Sequence, residues 1–347
     1  MGRHPVGRSA GHQATVERAC DGDDQAFGEL TGPYRRELLV HCYRMLGSLT
    51  DAEDVLQDTL LAAWRGLGDL QAEAALRPWL YRIATNRCLN SLRAGQRRIP
   101  AEPVPPFAPP EPTRRGEITW LQPYPDAWLE DIADSAPGPE ARYQAAETVK
   151  LAFITALQRM PPRQAAALLL RDVLGFSAAE AADMLGTSPT AVKGIMQRAR
   201  ASLAQQQIGQ EQPRPGSAGE RDLAARFARA YVAGDVDGVV ALLTDHAWLS
   251  MPPASHEYQG PAAIAAFLRA SFGYRGDCEL LLVPARANGQ PAFGSYLRAP
   301  GEAGAVPAGL IVLTTGADGI RAITRFHVEQ LYPRFGLPMT WSGRGPS

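Results

Sequence analysis

The chain has 347 residues, a formal net charge of −1 and 45% hydrophobic residues. That length and apolar content support two or three folded domains and exclude a wholly polar, disordered chain. Its cysteines (Cys20, Cys42, Cys88, Cys278) are scattered and form no CxxC pair. They argue against a disulfide framework or a cysteine zinc site, and for buried free thiols in a reducing, cytoplasmic setting.

No run reaches the roughly 18–20 apolar residues of a membrane helix. The opening "MGRHPVGRSAGHQ" lacks the apolar core of a secretory signal, so residues 1–12 read as a flexible tail. Near-neutral charge conceals asymmetry. Residues 140–205 carry eight cations against five acids, and residues 101–139 two cations against seven acids.

In chain order, apolar spacing predicts helices near 13–31, 34–48, 51–66 and 76–97. In "DAEDVLQDTLLAAW", Asp51, Asp54 and Asp58 fall within about 60° on one helix face beside Gln57. Ala52, Leu56, Leu60 and Ala63 form the opposite, packed face. Grouped carboxylates repel one another, which water tolerates and a basic partner relieves. Taken alone, the stretch is equally a solvated acidic face. Next, "RPWLYRIATNRCLNSLRAGQRR" interleaves Arg77, Arg82, Arg87, Arg93, Arg97 and Arg98 with Trp79 and Tyr81. Cations for phosphates and rings for unstacked bases suit single-stranded DNA, although Trp79 fits a core better.

Residues 100–139 are too rich in proline for a helix or central strand and read as an extended, acidic linker. Helices are then predicted near 141–159, 163–174, 177–186 and 188–205. "GFSAAEAADMLGTSPTAVKGIMQRARASL" has helix-turn-helix grammar. Ser177 and Glu180 form a capping box, Gly186 ends one helix, and Ser188 with Pro189 starts the next. On that second helix Val192, Ile195, Met196, Ala199 and Leu203 share one arc, with Thr190, Lys193, Gln197 and Arg200 opposite. Lys193, Gln197 and Arg200 can reach bases or phosphates, while Gly194 and Ala201 admit close approach of the backbone. The alternative is a plain amphipathic helix with solvated cations.

After a second linker (206–217), helices near 219–233, 236–244 and 260–272 precede alternating segments "CELLLVPARA", "AFGSYLRA", "AGLIVLTTG" and "GIRAITRFHVEQ". "ADG" between the last two is a hairpin signal, and the module reads as α+β.

Together, "DAEDVLQDTLLAAW", "RPWLYRIATNRCLNSLR" and "MPPRQAAALLLRDVLGFSAAEAADMLGTSPTAVKGIMQRARASL" make residues 13–205 resemble a bacterial sigma-70-family factor of the extracytoplasmic-function (ECF) group. The part beginning "RDLAARFARAYVAGDVDGVVALLTDHAWLSMPP" resembles a SnoaL-like domain of the nuclear-transport-factor-2-like fold. The resemblance implies a multidomain protein. Two all-α domains, a sigma region 2-like bundle (13–99) and a sigma region 4-like helix-turn-helix domain (140–205), are followed by a cone-shaped α+β regulatory domain (218–340).

The resemblance also implies partners and roles. The protein would bind RNA polymerase core (β′ clamp helices, β subunit) through Asp51, Asp54, Gln57 and Asp58. At the −10 element of promoter DNA, Arg77, Arg82, Asn86, Asn90 and Arg93 would hold the melted strand, and the loop from Leu70 to Arg77 would receive a flipped base. At the −35 element Lys193, Gly194, Gln197 and Arg198 would read the DNA, with Arg163 and Arg200 on phosphates. The acidic linker would thread the polymerase cleft, and the C-terminal domain would contact the sigma domains and modulate them. Trp248, Met251, Tyr258, Phe267, Tyr296 and His327 would line its pocket, whose small-molecule ligand is left open.

Asp245 and His246 are adjacent on a strand, point to opposite faces and do not make a catalytic pair. No catalytic residue, metal or cofactor is expected. Two other readings remain at this point: a helix-turn-helix regulator with a ligand-sensing domain, and a SnoaL-like cyclase or isomerase fused to a DNA-binding module.

Overall fold

The computed structural model describes residues 7–69, 76–94, 107–115, 121–129, 147–205 and 216–343. The chain divides into two compact units, Met1–Arg98 with Ala156–Gln206, and Ile99–Thr155 with Gln207–Ser347.

The first unit opens with helices α1 (Gly7–Cys20), α2 (Asp24–Thr31), α3 (Arg35–Leu46), α4 (Leu49–Gly66) and α5 (Leu76–Arg93). The single helix expected over 13–31 is two. Gly22 turns the chain at φ 94°, and Asp23 caps α2 by accepting from the amides of Gln25 (2.9 Å) and Ala26 (3.0 Å). The expected flexible tail over residues 1–12 is corrected in part: α1 already begins at Gly7. No proline follows Pro5 to interrupt it.

Helix α3 is buried from Leu38 to Leu46 and forms the centre of the bundle. Its His41 Nε2 shares a 2.9 Å hydrogen bond with Thr85 Oγ1 of α5. Burial, then Arg44 and Arg77, push the imidazole pKa down to about 3. Ser48 caps α4, its hydroxyl accepting from the Asp51 amide at 3.2 Å. The buried stripe of α4 is Ala52, Val55, Thr59 and Ala63, whereas Leu56 and Leu60 are only half-buried. The packed face is therefore rotated slightly from the expected one.

The second half of this unit contains the end of α6 (Leu151–Gln158), then α7 (Pro162–Leu168), α8 (Ala178–Met184) and α9 (Pro189–Gln205). Helix α7 runs into a π-helical turn, Leu169–Val173. The boundary between the units falls within α6. The rest of the expected 141–159 helix lies partly outside the described residues. The capping box forms: the Ser177 amide donates to Glu180 Oε2 (2.7 Å), and the Glu180 amide to Ser177 Oγ (3.2 Å). Gly186 makes the turn at φ 58°, and Ser188 Oγ accepts from the Ala191 amide at 3.2 Å.

The second unit places α10 (Ala218–Ala233), α11 (Val236–Val240) and α12 (Pro261–Arg275) with strands β1 (Arg114–Arg115), β2 (Leu243–Ser250), β3 (His256–Gln259), β4 (Glu279–Ala287), β5 (Gln290–Arg298), β6 (Val306–Gly316) and β7 (Gly319–Phe326). They form one mixed sheet in the order β1-β3-β2-β7-β6-β5-β4. Only the β2–β7 pairing among those described is parallel. The hairpin at "ADG" joins β6 to β7, with Gly316 opposite Gly319.

The helix expected over 236–244 stops at Val240, β2 begins at Leu243, ahead of the strand position read for Asp245 and His246, and β3 is an addition that sequence reading missed. Gly309 has φ 103°, and a Cβ there would meet the Phe326 carbonyl at 2.5 Å, so β6 and β7 approach where only glycine fits. The core joins Phe227 and Tyr231 of α10 and Ile264, Phe267 and Leu268 of α12 to the strands' inward residues, Leu249, Phe293, Ile311 and Ile323 among them.

The linker differs most from expectation. Its described parts are built into the second unit. Strand β1 pairs antiparallel with β3, Arg114 opposite Glu257 and Arg115 opposite His256. Thr113 Oγ1 donates to the Glu257 carbonyl (2.9 Å) and accepts from the Gln259 amide (2.7 Å), and the Tyr258 hydroxyl donates to the Pro110 carbonyl (2.9 Å).

Further along, Tyr124 donates its amide to Asn288 Oδ1 (2.8 Å), and Asn288 Nδ2 donates to the Val149 carbonyl (2.6 Å). Asp126 accepts from Arg286 Nε (3.2 Å) and the Gly289 amide (2.7 Å). Against expectation, residues 127–129 of the linker are helical, just after Pro125, where a missing N–H is tolerated. Proline also permits a sheet edge, where that N–H costs little. No described helix is long and apolar enough to cross a membrane.

Candidate polymerase and nucleic-acid interface

On α4 the buried stripe points Asp54, Gln57 and Asp58 outward, and Asp51 is half-buried. Neither Asp54 nor Asp58 has an ion-pair partner among the described residues. The face is an uncompensated acidic surface on a rigid helix.

Helix α5 buries Leu80, Tyr81, Ala84, Thr85, Cys88 and Leu89. The stripe leaves Arg82, Asn86, Asn90 and Arg93 on the other side, all exposed, and Trp79 half-buried. That polar side is partly taken. Arg82 Nη1 lies 3.5 Å from Asp183 Oδ2 of α8, and Asn86 Nδ2 donates to the Met184 carbonyl at 3.4 Å. Arg77 pairs with Glu37 (3.4 Å) and stands over the rings of Tyr81 (5.0 Å) and Phe176 (4.9 Å). Tyr81 meets Phe176 edge-on at 5.3 Å. Of the five −10 residues, Arg77, Arg82 and Asn86 therefore contact neighbouring side chains or carbonyls, while Asn90 and Arg93 face outward. Arg97, Arg98 and the loop residues 70–75 lie outside the described residues.

On α9, Val192, Met196 and Ala199 are buried, and Lys193, Gln197, Arg198 and Arg200 are exposed. A Cβ added at Gly194 would meet only Arg198 Nη1, at 3.8 Å, so packing within the chain does not require glycine there. The two phosphate candidates are engaged. Arg163 Nη2 donates to the Leu185 carbonyl at 2.5 Å, closing the C-terminal end of α8, and Arg200 makes a two-pronged pair with Asp172 (2.9 and 2.7 Å). In this conformation Arg163 is a structural donor rather than an open phosphate contact.

The second unit contains a cavity of about 490 Å³ lined by Met251 and His327, two of the six residues expected there. The other four lie elsewhere. Strand alternation explains Trp248, which faces away from the core side occupied by Ala247 and Leu249. It also explains Tyr296: Ser295 and Leu297 line the cavity, while Tyr296 turns to Tyr332 and gives its hydroxyl to the Pro338 carbonyl at 2.8 Å. Tyr258 and Phe267 are wholly buried and pack on each other at 4.8 Å as core. Asp245 and His246 are exposed on β2, outside the cavity lining.

Sequence reading missed the wall residues Phe107, Arg275 and Arg325. Phe107 comes from the linker, and only the long-range pairing of β1 brings it there. Desolvation and then Arg325 hold the His327 pKa below its ordinary value, although Glu329 opposes the shift. Cys42 and Cys88 are buried thiols, as expected, but Cys20 is exposed and Cys278 stands at the cavity wall.

An acidic helix, a cationic-aromatic helix and a helix-turn-helix, joined in that order, are the layout of a promoter-directed transcription factor of the sigma type. Residues 30–98 match the family description Sigma-70 region 2, residues 150–203 match Sigma-70, region 4, and residues 224–330 match the SnoaL-like domain. The chain is 41% identical over 338 residues to the ECF RNA polymerase sigma factor SigG of Mycobacterium tuberculosis, covering 96% of this chain and 88% of that one. It is 31% identical to SigJ of the same organism, over 83% of this chain and 82% of the relative. The crystal structure of SigJ shares the fold, with a TM-score of 0.55 at 24% identity over 88% of this chain and 97% of that one.

The chain belongs to the ECF RNA polymerase sigma factors. Its function is transcription initiation with RNA polymerase core on promoter DNA, and it is a regulator rather than an enzyme.

Proposed function

We propose that Asp51, Asp54, Gln57 and Asp58 dock on the β′ clamp helices of core polymerase, and that the free chain is stored closed. In the closed form the −10 side of α5 (Arg77, Arg82, Asn86) is held by α8 and the turn before it. Core polymerase binds the open form better and shifts the population, releasing Arg82, Asn86, Asn90 and Arg93 for the melted strand. Lys193, Gly194, Gln197 and Arg198 then read the −35 bases, with Arg200 on the backbone after leaving Asp172. The C-terminal domain tunes this opening because it holds the segment that connects the two DNA-reading domains. The setting is the cytoplasm, where polymerase acts.

The observation that carries the regulatory reading is the linker's incorporation into the C-terminal sheet through β1, Thr113 and Asn288. A linker held at two points of its course has less free length between the domains it joins.

Run-off transcription at equal protein concentrations tests both parts. Asp54→Arg puts a cation against a basic clamp and lowers core affinity by about tenfold or more, with helix content unchanged. A chain ending at Gln207 changes activity several-fold, an increase meaning restraint and a decrease meaning support of the open complex. Full activity from Asp54→Arg removes the docking face. Unchanged activity from the folded, shortened chain removes the regulatory role.

A further inference from the structure

The cavity of the second unit has a built-in electrostatic imbalance. Arg275 and Arg325 stand in its wall with one carboxylate, Glu329, while most of the remainder is apolar or aromatic, including Tyr231, Phe272 and Leu280. Arg325 Nη1 is engaged with Ser271 Oγ at 3.3 Å. Arg275 is different. Its guanidinium stacks over Phe272 at 5.2 Å, and its Nε and Nη1 are buried with no hydrogen-bond partner among the described residues. Donors removed from water and left unpaired are costly, and a guanidinium fork matches a carboxylate in shape and charge. At about 490 Å³ the cavity has the size of a small-molecule site.

Phe107 adds a second feature. It is the linker's contribution to the wall, and it packs against Phe267 (5.7 Å) and Tyr274 (5.8 Å) of α12. Six residues further on, the same segment enters the sheet through Thr113 and β1. Whatever fills the cavity touches the linker directly.

We propose that this cavity binds an apolar organic carboxylate, its acid group on Arg275 and its ring system against Phe272 and Phe107, and that occupancy changes how firmly the linker is held. The second clause rests on the reading that the C-terminal domain holds the linker; the first does not. The cavity thus makes the sigma factor's linker responsive to a small aromatic or alicyclic acid.

The test uses the full chain without polymerase, so its outcome is independent of transcription. Calorimetric titration compares 2-naphthoate with the neutral, near-isosteric 2-naphthamide. The carboxylate binds at least about tenfold more tightly, the range of a charged hydrogen bond. Arg275→Gln abolishes that preference while naphthamide binding persists. Should the variant fail to fold, the acid-amide comparison on the unaltered chain decides alone. Equal binding of the two probes, or no binding of either, overturns the anion site. Hydrogen exchange over residues 107–115 at saturating naphthoate reads the linker clause. A change in protection supports it, and unchanged protection with naphthoate bound overturns it while leaving the binding site standing.

Discussion

Helices α5 and α9 carry the two surfaces proposed to face nucleic acid, and the chain treats them differently. Both bury one stripe and present cations and amides on the other. On α9 Lys193, Gln197 and Arg198, the proposed reading residues, stand open. On α5, Arg82 and Asn86 meet Asp183 and the Met184 carbonyl, and Phe176 packs against Arg77 and the buried Tyr81. The polar contacts alone hold little: Arg82 and Asp183 are 52% and 70% exposed, and such surface pairs contribute about 0–1 kcal/mol. Phe176, only 4% exposed between Tyr81 and Arg77, supplies the larger share, since full burial of such a side chain is worth about 1.5–3 kcal/mol. A duplex-reading helix can be left open at little cost. In the proposed function α5 meets the melted strand only inside the polymerase complex, so a cover of a few kcal/mol can be displaced there.

The comparison can be broken most severely at Phe176. Phe176→Ala removes the apolar pin and costs the first unit about 3–5 kcal/mol of stability, read by denaturant unfolding. In the fraction that stays folded, binding of a single-stranded −10 oligonucleotide by the free chain rises. Lost stability with no gain in oligonucleotide binding would mean that the contact is packing and not a cover.

A smaller effect comes from beneath α5. His41 has a folded pKa of about 3, below the unfolded value. Its contribution is therefore fully present above about pH 6.5 and is lost as pH falls towards 3, by up to about 1.4 kcal/mol per pH unit. Thermal unfolding at pH 8 and pH 5 shows the loss, and His41→Leu flattens that slope. A slope that survives the substitution assigns it to other groups.

The smallest effect sharpens the open side. Since no packing demands Gly194, Gly194→Ala stabilises α9 by up to about 1 kcal/mol. If the glycine serves close approach to DNA, the same change weakens −35 duplex binding in an electrophoretic or anisotropy titration. A variant both more stable and unimpaired on DNA would make the glycine incidental.

Much of this architecture was legible in the sequence because its signals are local. The capping box at Ser177 and Glu180, the turn at Gly186 and the apolar stripe of α9 all lie within one or two helical turns, and the structure forms each of them. The acidic face of α4 followed from 3.6-residue spacing for the same reason. What was missed depends on distant partners. The start of β2 reads as a helix end because "LTDHAWLS" lacks clean alternation, and its partners on β7 lie about 75 residues away. The linker's prolines did not exclude helix throughout, since residues 127–129 are helical, and they gave no sign that β3 would receive Arg114 and Arg115.

The cavity lining failed through parity. Choosing aromatic residues without knowing the strands' inward phase put Trp248 and Tyr296 on the wrong faces. Arg163 and Arg82 were read for their charge, whereas their geometry in this conformation is set by a neighbouring carbonyl and carboxylate.

Whether polymerase uncovers an α5 that the free chain keeps covered is read by energy transfer between α5 and α9. Dyes at Arg87→Cys and Thr190→Cys, in a full chain carrying Cys20→Ser and Cys278→Ser, leave only the buried Cys42 and Cys88 as other thiols. Transfer efficiency is high in the free protein and falls strongly when saturating core polymerase is added. Efficiency that stays unchanged on binding core polymerase would contradict that uncovering.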